Sequence, residues 1–508
     1  MNQVIIDGES LTLQDVARVA HQGYRISIDP LAIERMQRSR KSIEKIVAAG
    51  RRVYGVNTGF GKLSNVHISS DELQELQLNL VLSHACGTGD LVPVPIVRAA
   101  LLLKANTLCK GYSGARPDIA QFLVKMLNRR VLPNIPAKGS VGASGDLAPL
   151  AHMTLVMLGL GEATLDGVVL SGEEALQIAQ LEPIRLRAKE GLALLNGTQI
   201  MTAYAVEALL RAHNLVKLAD IAGAITVESL LGTATAFDER IQIARGFPDQ
   251  IQVARNMRSL MADSEITASH ANCDKVQDPY SSRCIPQVHG AVRQAIRYAT
   301  DVIKIEMNAA TDNPLIFWED GDVLSGGNFH GQPVASACDT LAIAVAQLAN
   351  ISERRLENLM DASQSGLPPF LAPESGVNSG YMIAQVTAAA LVSENKVLCH
   401  PASVDSIPTS ANQEDFVSMG AFAARKALDV VENAETVIGI ELLAGCQAIE
   451  FRRNLRPGRG SGIAYETVRQ RIPTMQHDRL LKTDIDAMKG LVKINIIVNS
   501  VEAAVGTL

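Results

Sequence analysis

The stretch from Asp415 to Arg452 holds no proline and only three glycines. As one helix it would run about 55 Å at ~1.5 Å per residue. A helix that long is stabilised by burying an apolar face, and only other long helices offer it a partner of matching length. Gln199 to Leu231 reads the same way. Leu341, Val345, Leu348, Ser352, Leu356 and Leu359 keep one helical stripe, over about five turns. Ser69 and Glu72 have capping-box spacing ahead of Leu73, Leu76 and Leu80. Strand signals are short: Ala163–Leu170 turning at Asp166-Gly167, and Leu315–Leu324 turning through Glu319-Asp320-Gly321. The strand–helix alternation of a parallel sheet is absent. The expected fold is mainly α, an elongated long-helix bundle. Residues 1–195 form an N-terminal zone rich in turn motifs. Residues 196–508 form the long helical zone with a C-terminal extension, broken by polar loops near 264–289, 310–333 and 362–380. Loops of that length inside a compact protein are usually functional.

Composition narrows the function classes. The 508 residues exceed an ordinary single domain. Apolar residues at 47% and charged residues at 20% supply a large core and exclude wholesale disorder. Aromatics are only 4%, with Trp318 the single tryptophan, so the core must be aliphatic. A net charge of −6 argues against a nucleic-acid partner held by bulk charge. No stretch approaches ~18 uncharged apolar residues, so no membrane span is expected. The start, Met1 to Gly8, lacks the basic and apolar segments of a signal peptide. Seven cysteines, at 86, 109, 273, 284, 338, 399 and 446, show no Cys-x-x-Cys spacing. They do not make a disulfide framework, and the expected compartment is the reducing cytoplasm. No His-x-x-x-His or carboxylate cluster marks a metal site.

The densest candidate for chemistry is Gly139 to Leu150. A nucleophile elbow needs glycine where Asp146 stands, and a phosphate loop needs a lysine that does not follow. The small residues Ala143-Ser144-Gly145 offer a third chemistry. With no side chain on Gly145, its backbone nitrogen can approach the Ala143 carbonyl. Attack there closes a five-membered ring, and loss of water, including the Ser144 hydroxyl, leaves a methylidene-imidazolone. That electrophile is made from the chain itself, without an external cofactor. Taken alone, the same residues read first as a glycine-rich helix entry.

The surrounding string, Gly-Ser-Val-Gly-Ala-Ser-Gly-Asp-Leu-Ala-Pro-Leu-Ala-His-Met at 139–153, resembles the signature of the aromatic amino acid ammonia-lyases. Colinear segments extend the resemblance: Tyr54 to Gly61, Gly191 to Thr198, Val276 to Arg283, Thr311 to Leu315 and Gly327 to Gly331. Within the family the chain is most similar to the branch that acts on histidine. Ser83-His84 stands where the family selects its aromatic ring, and Asn412-Gln413-Glu414-Asp415 has a carboxylate where the phenylalanine and tyrosine branches usually carry Gln. A carboxylate can accept an imidazole N–H, whereas a phenyl ring would leave it unpaired in a dry pocket. Phe416 departs from the histidine branch, which usually has His there.

The resemblance implies a long-helix bundle of the ammonia-lyase / fumarase-aspartase-like type with a smaller N-terminal region bearing the electrophile. It implies elimination of ammonia from L-histidine to give trans-urocanate, the first step of histidine degradation. A phenylalanine or tyrosine ammonia-lyase, or a 2,3-aminomutase, stays open as the alternative. The substrate amine adds to the electrophile and a base takes the β-proton. Tyr54 and Glu414 are rival bases, and a tyrosine of ordinary pKa ~10 needs donors or positive charge nearby to serve. Arg283 clamps the substrate carboxylate. Tyr280, Asn196 and Gln277 surround the electrophile and the amine, Asn313 and Phe329 shape the pocket, and His84, Met382 and Phe416 line the ring end. His152 and His330 read as structural support, and Cys86 and Cys273 as buried small hydrophobes. The basic segment from Arg452 to Gly460 reads first as a solvated loop, second as an anion site or active-site cover. Because the site residues are far apart in sequence, the resemblance implies a homotetramer with sites shared between subunits and a small amino acid as ligand.

Overall fold

The computed structural model describes residues 2–508 apart from 60, 62–64, 67, 272 and 274. Phe60, part of the expected tyrosine loop, therefore lies outside the described residues. The chain is mainly helical and divides into two compact units. Unit one comprises residues up to 208 with 300–339 and 401–425, and unit two comprises 209–299, 340–400 and 426–508. This differs from a single break at 195/196: the segments 300–339 and 401–425 are remote in sequence but pack with the N-terminal zone.

A long helix the pattern did not single out is Ile285–Glu306, and Gln332–Met360 extends past its stripe at both ends. Gln199–Ser229 and Gly420–Glu450 form where the pattern places them, with shorter ends. The last begins five residues later than the proline-free stretch, because Met419 takes a φ of 54° and turns the chain. All six positions of the 341–359 stripe are buried at 1% exposure or less. By length and composition the helix Gln332–Met360 does suit a membrane span, against the expectation from the sequence. However, 72% of its apolar window is buried inside the protein, as in a core helix.

Unit one carries the described strands. The two expected hairpins are present, Glu162–Leu165 with Val168–Ser171 and Leu315–Phe317 with Asp322–Leu324. Val131–Pro133 joins the first, and Thr88–Leu91 pairs with Pro136–Lys138. A parallel pair, Gln3–Ile6 with Arg25–Ile28, was not expected; its strands are only four residues long and leave little alternation to read. An aliphatic cluster of Ile43, Ile46, Val56, Leu73, Ala188 and Ile316 anchors the turn that carries Tyr54. Ser69 does not cap through the backbone: its hydroxyl bonds the Glu72 carboxylate at 2.6 Å, and a 3-10 turn, Ser70–Glu72, leads into the helix Leu73–His84.

In unit two the expected polar loops contain short helices, among them Glu265–Ser269 and Tyr280–Arg283. The basic segment is not a free loop. Arg456 pairs with Glu265 at 2.6 Å, Arg452 donates to the Ser365 carbonyl at 2.9 Å, and the Gly458 N–H donates to Glu228 at 2.7 Å. A Cβ at Gly458 would lie 2.5 Å from the Met261 backbone, so glycine allows this close approach. Cys86 and Cys273 are exposed rather than buried, because each sits in a connecting loop outside the helices.

Candidate active site

The triplet Ala143-Ser144-Gly145 lies in the loop that enters the helix Leu147–Met157. Two straps hold it. On one side the Gly197 N–H donates to the Ser144 carbonyl at 3.2 Å, and the Asp146 N–H donates to the Gly197 carbonyl at 2.7 Å. On the other, the Met419 N–H donates to the Val141 carbonyl at 2.9 Å and the Ser418 hydroxyl to the Gly142 carbonyl at 3.2 Å. Ser140 Oγ ties the bend, accepting from the Gly142 N–H and donating to the Gly145 carbonyl, both at 3.1 Å. Gly145 has a φ of +78°, and a Cβ there would lie 2.0 Å from the Gly197 oxygen. Only glycine fits. A bent, clamped backbone with a bare α-carbon at 145 fits the methylidene-imidazolone that the sequence implies.

Buried charge supports this loop. Asp146 accepts the N–H groups of Ile200 and Met201 at 2.8 and 3.0 Å, at the start of the helix Gln199–Ser229, where a carboxylate is favoured. Burial nevertheless pushes its carboxyl up to about 7, against the lowering effect of those N–H groups and of Lys104. Burial pushes Lys104 down to about 7, opposed by Asp312 and Asp146. The Lys104 amine donates to the carbonyls of Ala193 and Asn196. Lys189 and Asp312 form a buried pair at 2.7 Å, and Asp312 also accepts from Asn196 Nδ2 at 3.1 Å. Asn196 Nδ2 donates further to the Asn313 carbonyl at 2.9 Å, and Asn313 Oδ1 accepts the Gly326 N–H at 2.8 Å. Both asparagines are thus bonded into the scaffold beneath the triplet.

The other unit-one candidates sit on turns. Tyr54 is half-buried, and its hydroxyl accepts the Gly61 N–H at 3.4 Å. His84 closes its helix with Nδ1 3.1 Å from the Ser83 hydroxyl. Burial holds its pKa below the usual histidine value; the Leu80 carbonyl and the charge of Glu414 act in the opposite direction. The Glu414 backbone pairs with Thr409, and its carboxylate accepts the Thr409 hydroxyl at 2.8 Å. The turn between them runs through Ser410, Ala411 and Asn412, all at positive φ.

Phe416 is 60% exposed, and the His330 ring stacks on it at 6.0 Å and 14°. The Gln332 N–H donates to His330 Nδ1 at 3.3 Å, which puts the ring proton on Nε2, facing the Phe416 carbonyl at 3.3 Å. Phe329 is half-buried beside it. His152 accepts the Gly87 N–H at 3.0 Å, a structural bond.

Unit two holds the remaining candidates. Gln277 is exposed, and Tyr280 is 71% exposed on the four-residue helix Tyr280–Arg283. The Arg283 guanidinium lies over the Tyr280 ring at 4.4 Å, and its Nε donates to the Asp278 carbonyl at 3.1 Å. Among the described residues no carboxylate pairs with Arg283. The Asp278 carboxylate fixes this segment, taking the Thr233 N–H at 2.7 Å and Lys275 at 2.8 Å. Met382 opens the helix Met382–Leu398, and Asp478 holds the turn before it through the N–H groups of Ser379 and Gly380, at 2.7 and 3.0 Å. Sequence reading missed Lys104, Lys189 and Asp478. Asp146 and Asp312 stood inside the quoted motifs, and a charge next to a glycine-rich turn was the available signal.

Long helices in one chain with a strapped Ala-Ser-Gly turn define a class. The family model for aromatic amino acid lyases matches residues 11–470, and the chain belongs to that family. Among its relatives, the histidine ammonia-lyase of Anaeromyxobacter sp. (strain K) is 55% identical over 97% of this chain and 99% of its own. The crystal structure of histidine ammonia-lyase from Trypanosoma cruzi is 44% identical, with a TM-score of 0.92 over 99% of this chain and 95% of that one. The structure of a tyrosine aminomutase from Streptomyces globisporus is 36% identical, with a TM-score of 0.94 over 100% of this chain and 99% of that one.

Proposed function

We propose that this protein eliminates ammonia from L-histidine, giving trans-urocanate, at a methylidene-imidazolone formed from Ala143-Ser144-Gly145. The observation that carries the choice of substrate is the set of near-full-length relatives named histidine ammonia-lyase, and a carboxylate at 414 that can accept an imidazole N–H agrees with it. The group supplies an electrophile for the substrate amine and turns it into a better leaving group.

The chain's own residues do the rest. Arg283, which lacks a carboxylate partner among the described residues, binds the substrate carboxylate with two N–H bonds. Glu414 accepts the substrate imidazole N–H, and His84 completes the ring's polar contacts. Tyr54 takes the β-proton. The Glu414 carboxylate already accepts the Thr409 hydroxyl, which supports this choice over Glu414. Loss of the β-proton and of the C–N bond leaves the conjugated acrylate and ammonia. Asn196, Gln277, Tyr280 and Asn313 orient the amine, while Phe329, Met382 and Phe416 close around the ring.

In this reading the zone 1–195 supplies the electrophile and 196–508 the helices of assembly. The chain works as a cytoplasmic homotetramer whose subunits share their sites, and a chain with no disulfide among the described residues suits that compartment. Phe416 favours one alternative, a lyase or aminomutase for a phenyl substrate. An ultraviolet assay against histidine, phenylalanine and tyrosine decides, since each product is a conjugated acrylate with its own absorbance. Turnover of histidine above the other two is expected, and turnover of phenyl substrates alone overturns the assignment.

A further inference from the structure

We propose that Asn358 and Arg355 are positioning residues that aim the Tyr280–Arg283 segment by gripping Ser281. The proposal rests on the reading of Arg283 as the carboxylate clamp. A helix of four residues has too few internal hydrogen bonds to hold its own direction, so neighbouring elements must set it. Asp278 fixes its leading end. The middle is held from the helix Gln332–Met360. Asn358 Nδ2 donates to the Ser281 hydroxyl at 3.0 Å, and Arg355 Nη1 reaches the Ser281 carbonyl at 3.4 Å. Residues 355 and 358 are three apart and share a face of that helix. They meet Ser281, which follows Tyr280 directly and stands two residues before Arg283.

Arg355 is itself immobile. It is fully buried, and Glu441, also fully buried, takes its Nε and Nη2 at 2.6 and 2.8 Å. The hydroxyls of Thr226 and Ser352 donate to the same carboxylate at 2.9 and 2.6 Å. With both carboxylate oxygens engaged, the guanidinium has one orientation, and its remaining edge faces Ser281. A buried Arg–Glu pair in a helical bundle also stabilises, and Arg355→Ala would strand Glu441 in the core and lower the melting temperature. Asn358 separates the two roles, because it is half-buried and neutral and its removal leaves no charge unpaired.

The test is a double-mutant cycle on Asn358→Ala and Ser281→Ala in the full-length enzyme, with melting temperatures measured alongside. Asn358→Ala is expected to raise KM for histidine about three- to tenfold, the worth of one neutral hydrogen bond, with a smaller change in kcat and an unchanged melting temperature. The double variant should be no worse than the poorer single one. An unchanged KM, additive losses in the double variant, or a lowered melting temperature with wild-type KM would each overturn the proposal. If the wild-type enzyme does not turn over histidine, the substrate assignment fails separately. The cycle is then run with phenylalanine, whose carboxylate presents the same target to Arg283.

Discussion

The triplet loop of unit one and the Tyr280–Arg283 helix of unit two, to which the proposed function gives different tasks, are held in opposite ways. The loop is buried at Ala143 and Gly145 and strapped by backbone bonds from two remote segments, 196–198 and 418–420. The helix is short, Tyr280 is mostly exposed, and bonds to Asn358 and to the Asp278 carbonyl hold it. Ring closure needs a backbone bent in advance of the reaction, so its atoms must be rigid. In the proposed function a carboxylate ligand needs a guanidinium free to meet it, and Arg283 has no carboxylate partner among the described residues. An electrophile can be built into a core, while the groups that grip the substrate have to be presented at a surface.

The sharpest way to break this contrast is Ser144→Ala, which should keep the fold and lose nearly all activity. Intact mass should show two waters lost per wild-type chain, one of which carries the serine hydroxyl; wild-type turnover by the variant would remove the electrophile from the account. Arg283→Ala comes next. Losing a charge-assisted fork should lower kcat/KM for histidine about 10- to 150-fold, read by steady-state kinetics. Glu414→Gln should cost histidine turnover about tenfold more than it costs any phenyl substrate. An equal loss for both would take Glu414 out of ring recognition. Phe416→His, at an exposed position, should leave histidine turnover within about twofold or improve it. A large loss there would show that the His330–Phe416 stack forms its own ring-end surface.

Local pattern made the long helices and both hairpins legible, because the 341–359 stripe and the Asp166-Gly167 turn are short-range signals. The triplet was legible as chemistry because Gly145 lacks a side chain. Its straps were not: Gly197 and Ser418 act from far along the chain, and nothing in either segment states its partner. The pairing of Lys189 with Asp312 and the grip of Asp478 on residues 379–380 are hidden for the same reason. Cys86 and Cys273 misled because a cysteine's burial depends on its surroundings. The basic run near 456 misled because a charge run reveals nothing about a carboxylate, Glu265, nearly two hundred residues away.

The most direct test of the account as a whole is complementation between impaired chains. Ser144→Ala chains, inactive alone, and Arg283→Ala chains, at least about tenfold weakened alone, are unfolded together, refolded as a mixture and assayed with histidine. Light scattering should give a particle near four times 54.3 kDa. If each site takes its triplet from one subunit and its arginine from another, random pairing in a closed symmetric assembly restores about one quarter of the wild-type rate. No restoration in a well-folded mixture, or a fully active wild-type monomer, would contradict the shared site.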